Sequence, residues 1–406
     1  MIGSNRAGGL ALLRDFRLLV FLFVGFRLML LIVYQPILLE ETERGVSAGG
    51  DLSYYYALGA LSDGGLLPFR DYWSEFPPVW PAMFVGVYQL TTAEGEGNYT
   101  AFASVMGLIM LAFDTGNLIL LRRIGGHLHG TDTGLALAWI YAVLLAPAVF
   151  LWWTFEAMVA FWLLLSVWWL LAGREGRSAV AALVGGLVKF VPLIVLGAVW
   201  RFRGWRAALR YTLIAVGGFA LVYGLLIAST GAMGAASLVA QFGKSSYGTI
   251  WALIDGNYTT GIFGSVDARL EVANATRLTG NPAAIPWWSR LIVFGGFGLY
   301  AFFRVRRRDD QGLVAFVALT LLIFFLWAQG WSPQWLALII PLTLLCFPSR
   351  DGVLAVLLLS LVAFTEYPLL FIRTGDTGGM ITGGLVPAFV TLVLLRTAIL
   401  VGLAAG

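Results

Sequence analysis

The sequence predicts an all-α protein that threads a membrane many times, on three observations. Hydrophobic residues make up 59% of the 406-residue chain and charged ones 12%, with a mean hydropathy of +0.85, which excludes a soluble domain. Apolar runs of roughly 17 to 25 residues recur along it, the length a helix needs to cross the hydrocarbon of a bilayer. Arginines gather at the ends of those runs, as they do where loops face the cytoplasm. The net charge of +4 is mostly this flanking arginine, so nucleic acid is not expected as a partner. The single cysteine, Cys346, lies in an apolar run and has no internal partner for a disulfide.

Arg14 and Arg17 precede the first run, about 18–39, which is too long for a secretory signal core and has no small-residue cleavage site. It reads as an uncleaved first span. Further runs lie near 76–92, 101–121, 133–151, 157–172, 178–200, 211–229, 290–303, 312–328, 335–347, 352–371 and 382–403. If each crossed once, the basic clusters at Arg122/Arg123, Arg174/Arg177, Arg201 to Arg210 and Arg304 to Arg308 could not all face the cytoplasm. Two runs are therefore expected not to cross. Run 76–92 opens with Pro77, Pro78 and Pro81, which suits a helix lying in or dipping into the outer face. Run 178–200 is broken by Gly185, Gly186, Lys189 and Pro192 and is basic at both flanks, which reads as a re-entrant hairpin or a broken helix. About ten crossings remain, with both termini inside. Arg27, inside the first span, is expected to pair with an intramembrane acid such as Asp114. His127 and His129 stand near Asp132 like a metal pair, but beside Arg122 and Arg123 they read as cytoplasmic interface.

The outer side then holds a loop over about 40–100, the short turn 152–156, a long loop over about 230–289, and the stretches 328–335 and 365–379. One transmembrane domain, 1–406, is the economical reading. In the first loop Gly49-Gly50 breaks the chain before Asp51. Tyr54, Leu58 and Leu61 then recur at helical spacing until Gly64-Gly65, so a short amphipathic helix is expected there, over about 52–63. Asp51 at its start could be no more than a helix N-cap. The segment "PFRDYWSEFPPVWP" brings Arg70, Asp71 and Glu75 back to the same boundary, and ionisable groups at such a boundary usually mark a site.

The order of "DLSYYYALGALSDGGLLPFRDYWSEFPPVW", "GGLVKFVPL", "QFGKSSYGTIWAL" and "QGWSPQW" resembles the GT-C superfamily of polytopic glycosyltransferases, with the nearest likeness to polyprenyl-phosphate-mannose-dependent mannosyltransferases. The likeness runs over roughly residues 10–370. It implies a GT-C-like fold with membrane-lying jaw helices on the outer loops. It also implies an inverting transfer of a sugar, mannose by resemblance alone, from a polyprenyl-phosphate donor to a lipid-linked or glycan acceptor in the cell membrane. Asp51 matches the family's catalytic acid position and would serve as general base. Arg70, Lys189 and Lys244 are candidates to stabilise the leaving phosphate. Lys189 and Lys244 are the only lysines among 26 basic residues, and Tyr247 stands beside the second. Tyr54, Tyr55, Trp73, Glu75, Trp331 and Gln334 are candidates to hold the sugar for in-line attack.

Glu156, in "WWTFEAM", occupies the place where some GT-C relatives carry a second acidic motif that binds a metal. Here it is a single carboxylate with no Asp-x-Asp pair, so a metal-independent enzyme without cofactor is expected. A transporter or flippase of a lipid-linked sugar is the rival reading, since broken helices with a buried lysine also mark transport sites. The chain shows no repeat of one half in the other, which counts against a transporter.

Overall fold

The computed structural model describes residues 11–34, 50–92, 97–150, 154–261, 263–374 and 378–406, and among these the chain is nearly all helical, with isolated bridges in place of a sheet. The expected first span is helix α1 (Phe16–Tyr34), and the rest of that run lies outside the described residues. The outer loop gives α2 (Gly50–Ala60) and α3 (Val79–Thr91). The bundle continues through α4 (Tyr99–His129), α5 (Thr131–Val143), α6 (Leu145–Phe150), α7 (Glu156–Leu171), α8 (Glu175–Val188), α9 (Val195–Phe202), α10 (Trp205–Thr212) and α11 (Gly218–Thr230). The long loop holds α12 (Ala232–Gly243) and α13 (Ile250–Asp255), followed by α14 (Trp287–Arg304), α15 (Asp310–Trp327), α16 (Leu336–Cys346), α17 (Arg350–Phe364) and α18 (Leu385–Ala405). Among the described residues, five helical stretches are long and apolar enough to cross a membrane on their own: Tyr99–His129, Trp205–Thr230, Asp310–Trp327, Arg350–Leu370 and Leu385–Ala405. These are the helices of a multi-pass membrane protein.

The helix α4 has 31 residues, about 46 Å at 1.5 Å per residue, so it is longer than a hydrocarbon layer of roughly 30 Å, with His127 and His129 in its last turn. Both histidines belong to this helix, where His127 Nε2 meets Asp310 Oδ2 at 2.7 Å and His129 Nε2 meets the Leu345 carbonyl at 2.8 Å. The chain turns sharply at Gly130, and α5 packs back so closely that a Cβ on Gly134 would overlap the backbone of Gly126 and Arg122. Inside the bundle Arg27 Nε donates to Asp114 Oδ2 at 2.9 Å, and Tyr141 Oη donates to Asp114 Oδ1 at 2.5 Å, with both charges buried. This is the expected intramembrane pair, and a charge at that depth is tolerable because it has such a partner.

The run 178–200 folds as a hairpin. The helix α8 ends where Lys189 adopts an extended conformation, and a turn over Val191–Ile194 sends α9 back down. Gly185 and Gly186 let the legs close: a Cβ on either would lie 2.8 Å from Pro192 or Leu193. The two feet meet, with Arg203 Nε 3.7 Å from Glu175 Oε1 and Arg203 Nη2 donating to the Leu170 carbonyl at 2.8 Å. At the same end Arg201 reaches the Val305 carbonyl and Arg308 the Arg201 carbonyl, so the arginine-rich loops gather together. Lys189 is thereby carried to the opposite end of α7, where Glu156 begins that helix.

The helix α2 does not lie free on a bilayer. It buries Leu52, Tyr55 and Leu58, a face one residue round from the expected Tyr54/Leu58/Leu61 stripe, because α3 packs against it and Gly59 sits against the Tyr88 ring. Tyr88 Oη closes the pair by donating to Asp63 Oδ2 at 2.5 Å.

Candidate active site

At the end of the bundle away from the arginines, a cavity of about 1290 Å³ opens between the first loop, the hairpin tip and the long loop. Its polar groups come from helix ends: Asp51 from the first turn of α2, Glu156 from the first residue of α7, Lys189 from the hairpin tip, and Gln334 from the turn before α16. Loops supply Trp73, Glu75, Lys244, Tyr247 and Arg269. Backbone N–H groups and side chains at helix ends are free to face a ligand, which makes such ends natural sites for charged groups.

The Lys189 ammonium pairs with Glu156 Oε1, while Glu156 Oε2 is buried without a partner among the described residues. Three aromatic rings ring the ammonium, with centroids of Phe155, Phe76 and Trp335 at 5.3, 5.7 and 5.8 Å. Gln334 Nε2 donates to Asp51 Oδ2 at 3.3 Å. Burial pushes the Asp51 carboxyl up to about 7; the neighbouring Glu156 and Glu75 charges push it the same way and Lys189 pulls it down. A carboxylate in that range can take a proton near neutral pH.

Glu75 is buried and accepts from Lys244 Nζ at 2.5 Å, with Arg269 Nη2 at 3.7 Å. Burial alone would raise its pKa, but Lys244 and Arg269 outweigh that and hold it below the usual carboxylate value. Burial likewise would lower Lys244, and the Glu75 charge reverses it upward. The loop carrying Arg269 is fastened to the first loop: Trp73 Nε1 donates to the Ala268 and Glu271 carbonyls, Trp73 N donates to the Arg269 carbonyl at 2.9 Å, and Gln241 Nε2 donates to the Glu75 carbonyl at 2.7 Å. Arg269 Nε donates to Tyr54 Oη at 2.8 Å, and its guanidinium stands 4.0 Å from the Trp73 ring centroid.

Of the residues expected from sequence, Asp51, Tyr55, Trp73, Glu75, Glu156, Lys189, Lys244, Tyr247 and Gln334 all line the cavity. Tyr54 touches it through Arg269 and stacks on Phe263 at 4.4 Å. Tyr55 is packed among Trp80, Phe84 and Phe155, and its hydroxyl has no partner among the described residues. Two expectations are corrected. Arg70 lies outside the cavity, half-exposed, donating to Asp71 at 2.7 Å and to the Gly65 carbonyl, because the Leu67–Asp71 turn faces it to solvent. Trp331 is buried behind the wall, donating to Glu366 Oε2 at 3.1 Å beneath the Arg396 guanidinium, so it braces the loop and presents no face to a sugar. Arg269, Arg290, Gln329 and Tyr367 line the cavity without having been singled out in the sequence. In an arginine-rich chain no local pattern separates Arg269 or Arg290 from topological arginines.

No protein-family model matches the chain, and no curated protein sequence matches it. Among solved structures it is similar to the Archaeoglobus fulgidus oligosaccharyltransferase in the apo form, with a TM-score of 0.45 and 13% identity over 95% of this chain and 55% of that one. The same enzyme tethered with an acceptor peptide containing the NVT sequon gives a TM-score of 0.41 and 14% identity over 95% of this chain and 54% of that one. The chain spans about half the length of these structures. A likeness this distant assigns neither family nor substrate.

Proposed function

We propose that the chain is an inverting GT-C-type glycosyltransferase that moves a sugar from a polyprenyl phosphate to a hydroxyl of a lipid-linked or glycan acceptor. The observation that carries this reading is Asp51, a carboxylate with its pKa raised to about 7, held by Gln334 in a cavity that also contains paired cations and aromatic rings. The acceptor oxygen attacks the anomeric carbon, Asp51 takes the acceptor's proton, and the electron pair of the broken C–O bond leaves on the lipid phosphate. The departing group gains a negative charge, which cations at the cavity wall stabilise. Tyr55, Trp73, Tyr247 and Gln334 supply the apolar faces and polar atoms that hold a sugar in line. Mannose is the sugar the sequence resemblance favours.

Other acids are less suited to the base role. Asp71 is tied to Arg70 at the surface, and Glu75 is tied to Lys244 and Arg269. Glu156 is paired through Oε1 with Lys189, and the lack of an Asp-x-Asp pair around it in the sequence favours a metal-independent reaction. The gathered arginines support a cytoplasmic placement of their end, and hence an outward-facing cavity.

The test is transfer by the purified protein in lipid nanodiscs, with radiolabelled polyprenyl-phosphate mannose as donor and a membrane lipid extract as acceptor. Label should move into a new glycolipid in wild type and not in Asp51→Asn. Movement of intact donor across a vesicle membrane without any transfer would reject the enzyme reading.

A further inference from the structure

We propose that Arg290 seats the phosphate of the lipid-linked donor. This rests on the glycosyltransferase reading above. Arg290 lies in the first turn of α14, is 3% exposed, and lines the same cavity as Asp51. Its Nε and Nη1 have no partner among the described residues, and Nη2 reaches only Gln329 Oε1, at 3.3 Å. The guanidinium also stands 4.9 Å from the Trp251 ring centroid. A buried cation with two unused donor groups is expensive to maintain unless an anion completes it, and a guanidinium fork fits phosphate oxygens.

The other buried or half-buried cations of the cavity are already matched. Lys189 has Glu156, while Lys244 and Arg269 share Glu75. Asp255 acts on Arg290 through space, but its oxygens are occupied by Ser246 Oγ at 2.6 Å and the Ala284 N–H at 2.8 Å. Arg277, Asp267 and Glu271 border the cavity too, but they are exposed and screened by water. Lys189, Lys244 and Arg269 therefore each have a carboxylate within ion-pair distance, whereas Arg290 has none among the described residues.

The location also suits a lipid. Trp287 lines the cavity and is itself partly exposed, and next to it α14 presents Trp288, Leu291, Ile292 and Val293 on its open apolar face. A polyprenyl chain can stay along that face in the bilayer while its phosphate reaches Arg290. Gln329 links this position to the rest of the site, since its Nε2 donates to the Lys244 carbonyl at 2.5 Å.

The experiment measures binding of a radiolabelled polyprenyl monophosphate to the full chain in phosphatidylcholine nanodiscs, where wild type should bind it. Arg290→Gln should weaken monophosphate binding tenfold or more, Arg290→Lys should weaken it less, and Arg70→Gln should leave it unchanged. Equal binding by wild type and Arg290→Gln overturns the assignment of the residue. Inorganic phosphate displacing the lipid at equal concentration would make this a free-anion site and overturn the lipid assignment. If Arg290→Gln does not fold, as read by size-exclusion chromatography, Arg290→Lys decides, and an unchanged affinity there counts against the proposal. Transfer by Arg290→Gln with the wild-type KM removes this inference and leaves the enzyme reading standing, whereas a wild type that does not bind the lipid and transfers nothing removes both.

Discussion

Replacing Asp51 by Asn keeps the size of the side chain and its hydrogen bond with Gln334 while removing its basicity. Loss of a positioned general base costs about two to four orders of magnitude in rate, so turnover should fall by about 10²- to 10⁴-fold with folding intact. The wild-type pH profile supplies an independent reading. Asp51 must be ionised to accept a proton, and its pKa is raised to about 7, so activity should rise with pH through that value. At pH 6 about a tenth of the molecules carry the ionised form and at pH 8 about nine tenths, a difference of roughly tenfold in kcat/KM. The surroundings predict how this limb moves. Burial is the largest influence, followed by the Glu156 and Glu75 charges, with Lys189 opposing them. Glu156→Gln removes a repelling charge and frees the Lys189 ammonium, so the limb should shift to lower pH; Lys189→Met leaves Glu156 unopposed, so it should shift higher. The assay is sugar transfer from polyprenyl-phosphate mannose between pH 5 and 9, with each variant checked for monodispersity. Near-wild-type turnover in Asp51→Asn, or a limb that ignores both neighbouring substitutions, would refute the assignment and turn attention to Glu75.

Three further outcomes are expected. Activity in excess chelator should be unchanged, because the sequence offers a single carboxylate at Glu156 and no Asp-x-Asp pair, and a loss that manganese or magnesium restores would defeat metal independence. Single cysteines at Arg177 and Arg203, in a Cys346→Ser background, should both resist an impermeant thiol reagent added from outside, since Glu175 and Arg203 close the foot of the hairpin; labelling at one of them alone would turn the segment into a simple crossing. Arg27→Met leaves Asp114 buried with only Tyr141 for company, and removing one partner of a buried pair costs about 3–5 kcal/mol. A thermal midpoint in detergent equal to that of wild type would show that the pair contributes nothing.

Hydrophobicity and arginine placement are enough to determine the class of this protein, because a helix must satisfy its own backbone in lipid and needs a fixed length to cross it. The hairpin at Lys189 is legible for a similar reason: two glycines, a lysine and a proline cannot sit in a continuous helix facing lipid. The Arg27–Asp114 pair is legible because a buried charge demands a partner and few acids lie at that depth. Asp51 stands out as an acid at the start of a loop helix, and Glu156 and Lys189 each stand out on their own. That these two form a pair, 33 residues apart, depends on the antiparallel packing of α7 and α8, which no local pattern records. The same holds for Arg269, which meets Tyr54 across 215 residues because Trp73 fastens the two loops together. Arg70 and Trp331 show the converse: each has the right chemistry in the right loop, yet a tight turn points one to solvent and the Glu366–Arg396 pair holds the other behind the wall. Residue type fixes what a side chain can do and depth in the membrane fixes what it must find, but which way it faces is decided by contacts between distant segments.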